Sequence, residues 1–189
     1  MKGMRLISLA AVLVLSALAS QAAGAQSFAV SVNAGDAAAL GTVGVGASYA
    51  VARNWTVDAS GRWNPWTFRK AAGGQWQYRH QTYSVGARWW PWYAFSGWYV
   101  SGMAQYQEYS RGGLVREQTE EGDAAGFAFG FGYMHMLSAR WNFSVGATGW
   151  AGATKYRTYA CPHCGRQTGG GTKAFILPNE LMLGFTYVF

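Results

Sequence analysis

The sharpest candidate for chemistry in this sequence is the four-residue motif Cys161-Pro162-His163-Cys164. Two cysteines at this spacing catalyse thiol exchange when a following helix lowers the pKa of the first thiol. Glycine and threonine residues follow the motif here, so the sequence does not predict such a helix. Two structural roles therefore compete with redox catalysis, a metal site and a disulfide.

A tetrahedral zinc site needs four ligands, and the chain contains only two cysteines. Cys161 and Cys164, with His163 as a third ligand, would therefore hold a metal in a site shared between molecules. A Cys161–Cys164 disulfide that pins a surface loop is the common outcome in an oxidising compartment. The motif favours the disulfide over the metal site, and the metal site over redox catalysis.

A second candidate is a hydrolytic site assembled from His80, Ser84 and Glu108. His80 and Ser84 share one face of a predicted strand, and the three residues together could supply a base, a nucleophile and an acid. The other two histidines are His135, predicted near one membrane interface, and His163. Nothing in the spacing requires catalysis, so we predict no catalytic residues and no cofactor.

Composition favours strands as the elements that carry these residues. The chain has ten Trp, eleven Tyr, ten Phe and 26 Gly, and only 12% of its residues are charged. Glycine weakens helices and aromatic residues favour strands. The net charge of +7 comes from scattered Lys and Arg rather than a basic stripe, which argues against nucleic-acid binding.

The first 25 residues have the pattern of a secretory signal peptide. Lys2 and Arg5 precede an apolar run from Leu6 to Ala19, and Ala23-Gly24-Ala25 is a small-residue cleavage site. The apolar run is shorter than a transmembrane helix. We therefore predict a signal peptide at 1–25 and one domain at 26–189.

The end of the sequence predicts a strand with one apolar face. Leu181, Leu183, Phe185, Tyr187 and Phe189 occupy alternate positions, the period of a β-strand. A strand that ends on an aromatic residue is similar to the sorting signal of bacterial outer-membrane β-barrels. Phe185, Tyr187 and Phe189 are thus the predicted assembly signal for the barrel assembly machinery.

Three short turns alternate with three longer polar stretches. The short turns follow Tyr49, Trp90 and Tyr133, and the polar stretches are 69–75, 111–123 and 161–173. This asymmetry is typical of outer-membrane barrels. We predict an all-β, eight-stranded, antiparallel, up-and-down transmembrane β-barrel with strands near 27–35, 40–51, 55–66, 76–90, 97–109, 124–137, 141–158 and 175–189.

The predicted strands have apolar residues on one face and polar residues on the other. Four charged residues take the inward positions: Asp58, Arg62, Arg88 and Glu180. Charges in a dry interior are costly unless paired, so we predict that they form one network with Gln105 across a plugged lumen. The alternative is a pore or a ligand site. An apolar exterior argues against a soluble β-sandwich, the competing fold.

Several motifs resemble the family called domain of unknown function 3575. The most distinctive is the run from Trp55 to Phe68, WTVDASGRWNPWTF. Arg88-Trp89-Trp90 resembles the family's Arg-aromatic-Trp strand, the run from Ser138 to Asn142 its third short turn, and the run from Cys161 to Gly165 its last loop. The resemblance implies a small outer-membrane barrel exported by Bacteroidetes-type bacteria. It implies no active site.

We therefore expect a small, non-enzymatic protein of the cell outer membrane with a structural or surface-interaction role. Its expected partners are outer-membrane lipid and lipopolysaccharide, the barrel assembly machinery and an unidentified surface protein. One alternative is an assembly or anchoring partner of surface appendages. The other is a barrel enzyme that acts on lipids.

Overall fold

The fold is all-β and is described here from a computed structural model over residues 27–38, 41–69, 75–112, 118–161 and 165–189. The predicted signal peptide, Met1 to Ala25, lies outside the described residues. Within them the chain forms one short helix, α1 (Ala34–Ala38), and nine strands: β1 (Phe28–Asn33), β2 (Val43–Ala52), β3 (Trp55–Asn64), β4 (Thr67–Arg69), β5 (Gln75–Trp89), β6 (Gly97–Gly112), β7 (Thr119–Met136), β8 (Trp141–Tyr159) and β9 (Gln167–Val188).

The strands form one antiparallel, up-and-down sheet that closes into a ring. Its order is β3-β2-β1-β9-β8-β7-β6-β5-β4, and the ring closes because β3 also pairs with β5. We call the end with the turns after β2, β5 and β7 the turn end, and the opposite end the open end. Both described ends of the chain lie at the turn end, where the Phe189 amide donates to the Phe28 carbonyl at 2.8 Å.

The predicted count of eight strands is wrong, because β4 is a ninth. It pairs only with the start of β5, through Thr67, Phe68 and Arg69. The ring of Phe68 stacks on that of Trp76 with centroids 4.9 Å apart, and this contact stabilises a short hairpin in a stretch that reads as a polar loop. Eight strands form the ring itself.

Two of the predicted polar stretches between strands, 111–123 and 161–173, form shorter loops than expected. β7 already begins at Thr119 and β9 at Gln167. Oppositely charged residues on neighbouring strands stabilise the sheet when they pair, so strands can continue into a polar stretch. Here Arg111 on β6 contacts Glu120 on β7 at 2.9 Å, and Lys173 on β9 reaches the same carboxylate at 3.1 Å.

The register around the ring shows how strongly the strands are staggered. Val32 on β1 pairs directly with Phe185 on β9. When the register is followed from Val32 in the other direction around the ring, through seven successive strand pairings, it reaches β9 at Ala174. This residue is eleven residues before Phe185. One of the eleven is the extra residue of a bulge near Pro178. Strand number and stagger together set the tilt and the width of a closed sheet.

Apolar side chains face out of the ring and polar side chains face into it, the reverse of a soluble β-sandwich. The exposed large apolar residues include Val43, Val45, Val57, Trp63, Tyr83, Val85, Phe127, Phe129, Phe131 and Val145. The buried polar residues include Ser48, Thr56, Asp58, Thr82, Ser84, Ser101, Gln105, Asn142, Ser144 and Thr186. Among the described residues, no helix is long and apolar enough to cross a membrane.

An apolar cluster closes the ring at the turn end. The chain between β5 and β6 folds back, so that the Trp90 ring packs against those of Tyr99 and Phe95, with centroids 4.9 and 6.1 Å away. Ala29, Met134 and Val188 complete this cluster. The Tyr99 side chain fits because its register partner on the neighbouring strand β7 is a glycine: a Cβ on Gly132 would lie 2.4 Å from the Tyr99 hydroxyl oxygen.

Candidate functional site

A buried ion pair lies inside the ring near the turn end. Arg88 on β5 contacts Asp58 on β3 at 3.4 Å, and both side chains are nearly inaccessible to solvent. The Asp58 carboxylate also accepts hydrogen bonds from the hydroxyls of Ser48 and Thr56. The Arg88 guanidinium lies 5.2 Å from the Tyr99 ring centre, a cation–π distance that ties the pair to the apolar cluster below.

A second ionic group fills the ring closer to the open end. Arg62 on β3 contacts Glu180 on β9 across the lumen at 3.4 Å and Asp36 of α1 at 3.9 Å. Its guanidinium also donates to the side-chain oxygen of Asn179 at 3.1 Å and of Gln105 at 3.4 Å. One cation therefore serves two carboxylates and two amides.

The four inward charges predicted from the sequence thus fall into two groups. Arg62 and Glu180 belong to one, and Asp58 and Arg88 belong to the other. No contact in the described part of the chain joins the two groups directly. Asp36 and Asn179 were missed because a strand-like pattern places neither inside the ring. The turn-forming residues Asn33, Gly35 and Asp36 were the available signal for α1.

Little free space remains around these groups. The cavity between them has a volume of about 70 Å³ and is lined by Asp58, Arg62, Arg88, Gln105 and Glu180 among others. At the open end, a much wider cavity of about 990 Å³ lies among the projecting parts of β5 to β9. The lumen is therefore filled at mid-height and open only above.

Glu120 organises the rim of the open end. It accepts hydrogen bonds from the Tyr109 hydroxyl at 2.8 Å, from Arg111 at 2.9 Å and from Lys173 at 3.1 Å. Partial burial alone would raise the pKa of this carboxyl. The hydrogen bonds from Tyr109, Lys173 and Arg111 outweigh burial and hold the pKa of Glu120 below its usual value.

The hypothetical hydrolytic set is not assembled. Ser84 faces the lumen and donates to the Gln105 side chain at 3.2 Å, and His80 also lies on the inward face. Glu108 lies on the opposite, outer face, where it accepts a hydrogen bond from the Tyr106 hydroxyl at 3.2 Å. His135 is exposed on the outer face near the turn end.

The cysteine motif is largely outside the described residues. Cys161 lies two residues after the end of β8 at the open end, but Pro162, His163 and Cys164 are not described. The disulfide therefore stays a prediction. In the described part of the chain, no group of three or more His, Cys, Asp or Glu side chains could hold a metal ion.

Aromatic rings form a belt on the outer face at the turn end. Trp55 pairs with Trp89 in register on neighbouring strands. Trp98 packs on Tyr133 with centroids 5.2 Å apart, and Trp141 packs on Tyr187 at 5.1 Å. These rings are on six strands of the ring, at comparable distances from its turn end.

The apolar outer face ends abruptly towards the open end. Gln81, Glu108, Asp123 and Lys155 pair in one row across four neighbouring strands. Two residues nearer the turn end, the corresponding row is Tyr83, Tyr106, Ala125 and Ala153. The outer face is thus an apolar band between an aromatic belt and a charged row.

The comparison with curated proteins gives no match. The family described as "Protein of unknown function (DUF3575)" matches residues 9–189, nearly the whole chain. This range includes the whole ring and the ion pairs within it. It also includes the motifs, from Trp55 onward, on which the resemblance to the family was based. The chain belongs to the DUF3575 family.

Proposed function

We propose that this protein is a small, non-enzymatic β-barrel of the cell outer membrane with a plugged lumen. The observation that carries the proposal is the apolar band on the outside of a closed ring. In lipid every backbone polar group must be satisfied internally, which a closed ring of strands achieves. In this proposal the eight strands of the ring cross the membrane, and β4 stays at the outer rim.

The height of the band fits a bilayer. From Trp98 in the aromatic belt to Tyr106 below the charged row, β6 advances eight residues, about 26 Å at ~3.3 Å per residue. A strand tilt of ~40° reduces this rise to about 20 Å. The apolar band of outer-membrane barrels is ~25 Å tall and carries aromatic girdles.

The interior supports a structural or surface-interaction role rather than a pore. Two ionic groups and an apolar cluster leave a cavity of only about 70 Å³ at mid-height. The outer face would contact outer-membrane lipid, and the charged row would contact lipopolysaccharide head groups. An unidentified surface protein could bind at the projecting strands. Assembly or anchoring of surface appendages remains an alternative proposal, whereas the separation of Glu108 from Ser84 and His80 disfavours a lipid enzyme.

Two finer features belong to the same proposal. A signal peptide at 1–25 would export the chain, and the barrel assembly machinery would recognise Phe185, Tyr187 and Phe189. A Cys161–Cys164 disulfide would then form outside the cytoplasm at the open end. Cys161 lies two residues after the end of β8, a position compatible with a short pinned loop.

Phe189 offers the direct test. Its amide donates to Phe28, and its ring packs against those of Phe28 and Tyr187 at 5.8 and 4.7 Å. Phe189→Asp should abolish accumulation of the assembled form in the outer membrane, and Phe189→Tyr should preserve it. Assembled wild-type protein should migrate faster on a gel when it is not heated. Normal assembly of the Asp variant, or no change in migration on heating, would refute the barrel.

A further inference from the structure

An apolar patch interrupts the polar lumen near the open end. Trp150 on β8 is only 6% exposed and packs on Phe175 of β9 with ring centroids 4.6 Å apart. Leu177, directly opposite Trp150 in register, is 49% exposed. It faces inward because the bulge near Pro178 shifts the alternation of β9. We call Trp150, Phe175 and Leu177 the inner patch.

The protein leaves part of the inner patch exposed and one of its buried polar groups without a hydrogen-bond partner. It lines a cavity of about 80 Å³ that also includes Tyr109, Arg111 and Lys173. The indole nitrogen of Trp150, Nε1, is buried and has no hydrogen-bond partner. A buried indole N–H normally finds an acceptor. An accessible leucine and an unpaired buried donor in one cavity indicate that a ligand with both apolar and acceptor groups belongs there.

Positive charge lies directly above the inner patch. Arg111 and Lys173 share one carboxylate, that of Glu120. Lys173 is two residues from Phe175 on the same face of β9, so its ammonium lies at the rim of the patch. Two cations facing one anion leave a net positive charge of one at this rim, which complements an anionic head group.

The wall of the ring is weakest beside the same patch. β1 ends at Asn33, opposite Gly184, and β9 continues towards the open end paired only with β8. The Asn33 side chain extends the ladder by one step: its oxygen accepts from the Leu183 amide at 2.9 Å, and its nitrogen donates to the Leu181 carbonyl at 3.4 Å. Beyond that, α1 takes the place of a strand.

Exposure along β9 reflects this missing neighbour. Ile176 is 86% exposed and Leu181 is 74% exposed, more than the other large apolar residues of the described outer face. α1 packs closely on the strand at Gly35, where a Cβ would lie 2.3 Å from the Leu181 carbonyl oxygen. We call this interruption between β9 and α1 the seam. Inward-facing Leu177 of the inner patch and outward-facing Ile176 are adjacent on the stretch of β9 that borders the seam.

We propose that the inner patch binds a single-chain amphiphile with an anionic head, either a long-chain carboxylate or a lysophospholipid. The head lies at Lys173 and Arg111, and its oxygens offer an acceptor to Trp150 Nε1. The chain lies on Phe175 and Leu177 and passes through the seam towards the bilayer. This inference rests on the proposed membrane location, because it requires an apolar phase outside the seam.

Binding can be measured with a fluorescent carboxylate on the full chain held in an amphipathic polymer. The probe is 11-(dansylamino)undecanoic acid, and the competitors are palmitate, a lysophosphatidylglycerol and a neutral monoacylglycerol. We expect saturable binding that palmitate or the lysophospholipid displaces and the monoacylglycerol displaces much less. The stronger of the two anionic competitors identifies the source of the ligand. Equal displacement by the neutral lipid would overturn the assignment of an anionic head.

Two matched pairs of variants locate the site. Leu177→Trp fills the inner patch and should weaken probe binding at least about tenfold, ~1.4 kcal/mol. Leu137→Trp makes the same exchange at an exposed position of the turn end, away from both the inner patch and the seam, and should leave binding unchanged. Lys173→Gln should weaken carboxylate binding about fivefold, the upper end for an exposed ion pair. Lys155→Gln, on the outer face of the neighbouring strand, should have no effect.

Heat-dependent migration on a gel distinguishes failure of the amphiphile site from failure of the barrel proposal. Variants that keep the fast-migrating form are folded, so their binding data are interpretable. A folded wild-type protein that does not bind the probe, or equal weakening by Leu177→Trp and Leu137→Trp, would overturn the amphiphile site and leave the barrel proposal standing. Absence of the fast-migrating form from the wild type would refute the barrel proposal itself.

Discussion

Replacement of Arg62 with alanine should lower the free energy of unfolding by about 3–5 kcal/mol, the cost of stranding a buried charge. Arg62 is the cation that contacts both Glu180 and Asp36, at 3.4 and 3.9 Å. These carboxylates are only 17% and 8% exposed. Without Arg62, two nearby buried anions would lose their shared counter-charge.

The magnitude follows from the number of contacts that are lost. Besides both carboxylates, the guanidinium serves the side-chain oxygens of Asn179 and Gln105. These two amides keep hydrogen bonds to each other at 3.1 Å. The loss of their bonds from Arg62 therefore adds little to the cost. The two unpaired carboxylates carry most of the cost. Water that enters the vacated space would reduce the effect towards 3 kcal/mol.

The measurement is urea unfolding from lipid vesicles, followed by tryptophan emission and by heat-dependent gel migration. Arg157→Ala is the matched control, because Arg157 is an exposed arginine on the outer face and its loss should change the free energy by less than about 0.5 kcal/mol. A second variant removes all three charges with Arg62→Met, Asp36→Asn and Glu180→Gln. It should regain most of the lost stability, since an uncharged interior needs no counter-ion.

Two outcomes would refute this reasoning. An Arg62→Ala cost equal to that of Arg157→Ala would show that the ion group is solvated and not buried. A triple variant no more stable than Arg62→Ala would show that shape, and not charge, is what Arg62 supplies.

The remaining predictions concern the lumen, the rim and the cysteines. The reconstituted protein should conduct little or no current in planar bilayers, because side chains fill the ring at mid-height; a steady, large conductance would contradict a plugged lumen. Because the pKa of Glu120 is lower in the folded protein, its stabilising contribution is present above the unfolded value, near 4.5, and is lost as the pH falls through the folded value. The stability difference between wild type and Glu120→Gln should therefore shrink between about pH 6 and pH 3, and a constant difference would exclude a titrating carboxylate. On intact cells, Cys161 and Cys164 should react with a bulky maleimide only after a reductant is added; reaction without reductant would exclude the disulfide.

The long strands could be predicted because their alternation is strict. From Trp55 to Trp63 on β3, apolar or small residues alternate with polar ones, and the structure has a strand over Trp55–Asn64. On β7, Phe127, Phe129 and Phe131 alternate with small residues, and the structure has a strand there too. A period of two identifies both the element and its outer face, so the all-β, antiparallel, up-and-down sheet followed from the sequence.

Features that depend on distant partners could not be predicted. The strand β4 depends on the stacking of Phe68 on Trp76, and the helix α1 depends on the packing of Gly35 against β9. The bulge near Pro178 reverses the alternation of β9, which places Leu177 inside and Asn179 beside Arg62. A single inserted residue is invisible to a pattern that counts alternate positions.

The predicted ionic network shows the same limit in its details. Sequence alternation placed Asp58, Arg62, Arg88 and Glu180 on inward positions, which is a local property of each strand. Which acid meets which base depends on the stagger of the whole ring. That stagger separates Asp58 and Arg88 from Arg62 and Glu180 along the axis of the ring.

The fit of Tyr99 against Gly132 limits which substitutions the inner face of the ring can accept. The width of the ring is set by its strand number and stagger, so it does not expand to receive a larger side chain. A Cβ on Gly132 would lie 2.4 Å from the Tyr99 hydroxyl, and one on Gly130 would lie 2.5 Å from Thr148. Inner positions that pair on neighbouring strands therefore share a fixed volume, and related sequences should exchange large and small residues at these positions in compensating pairs.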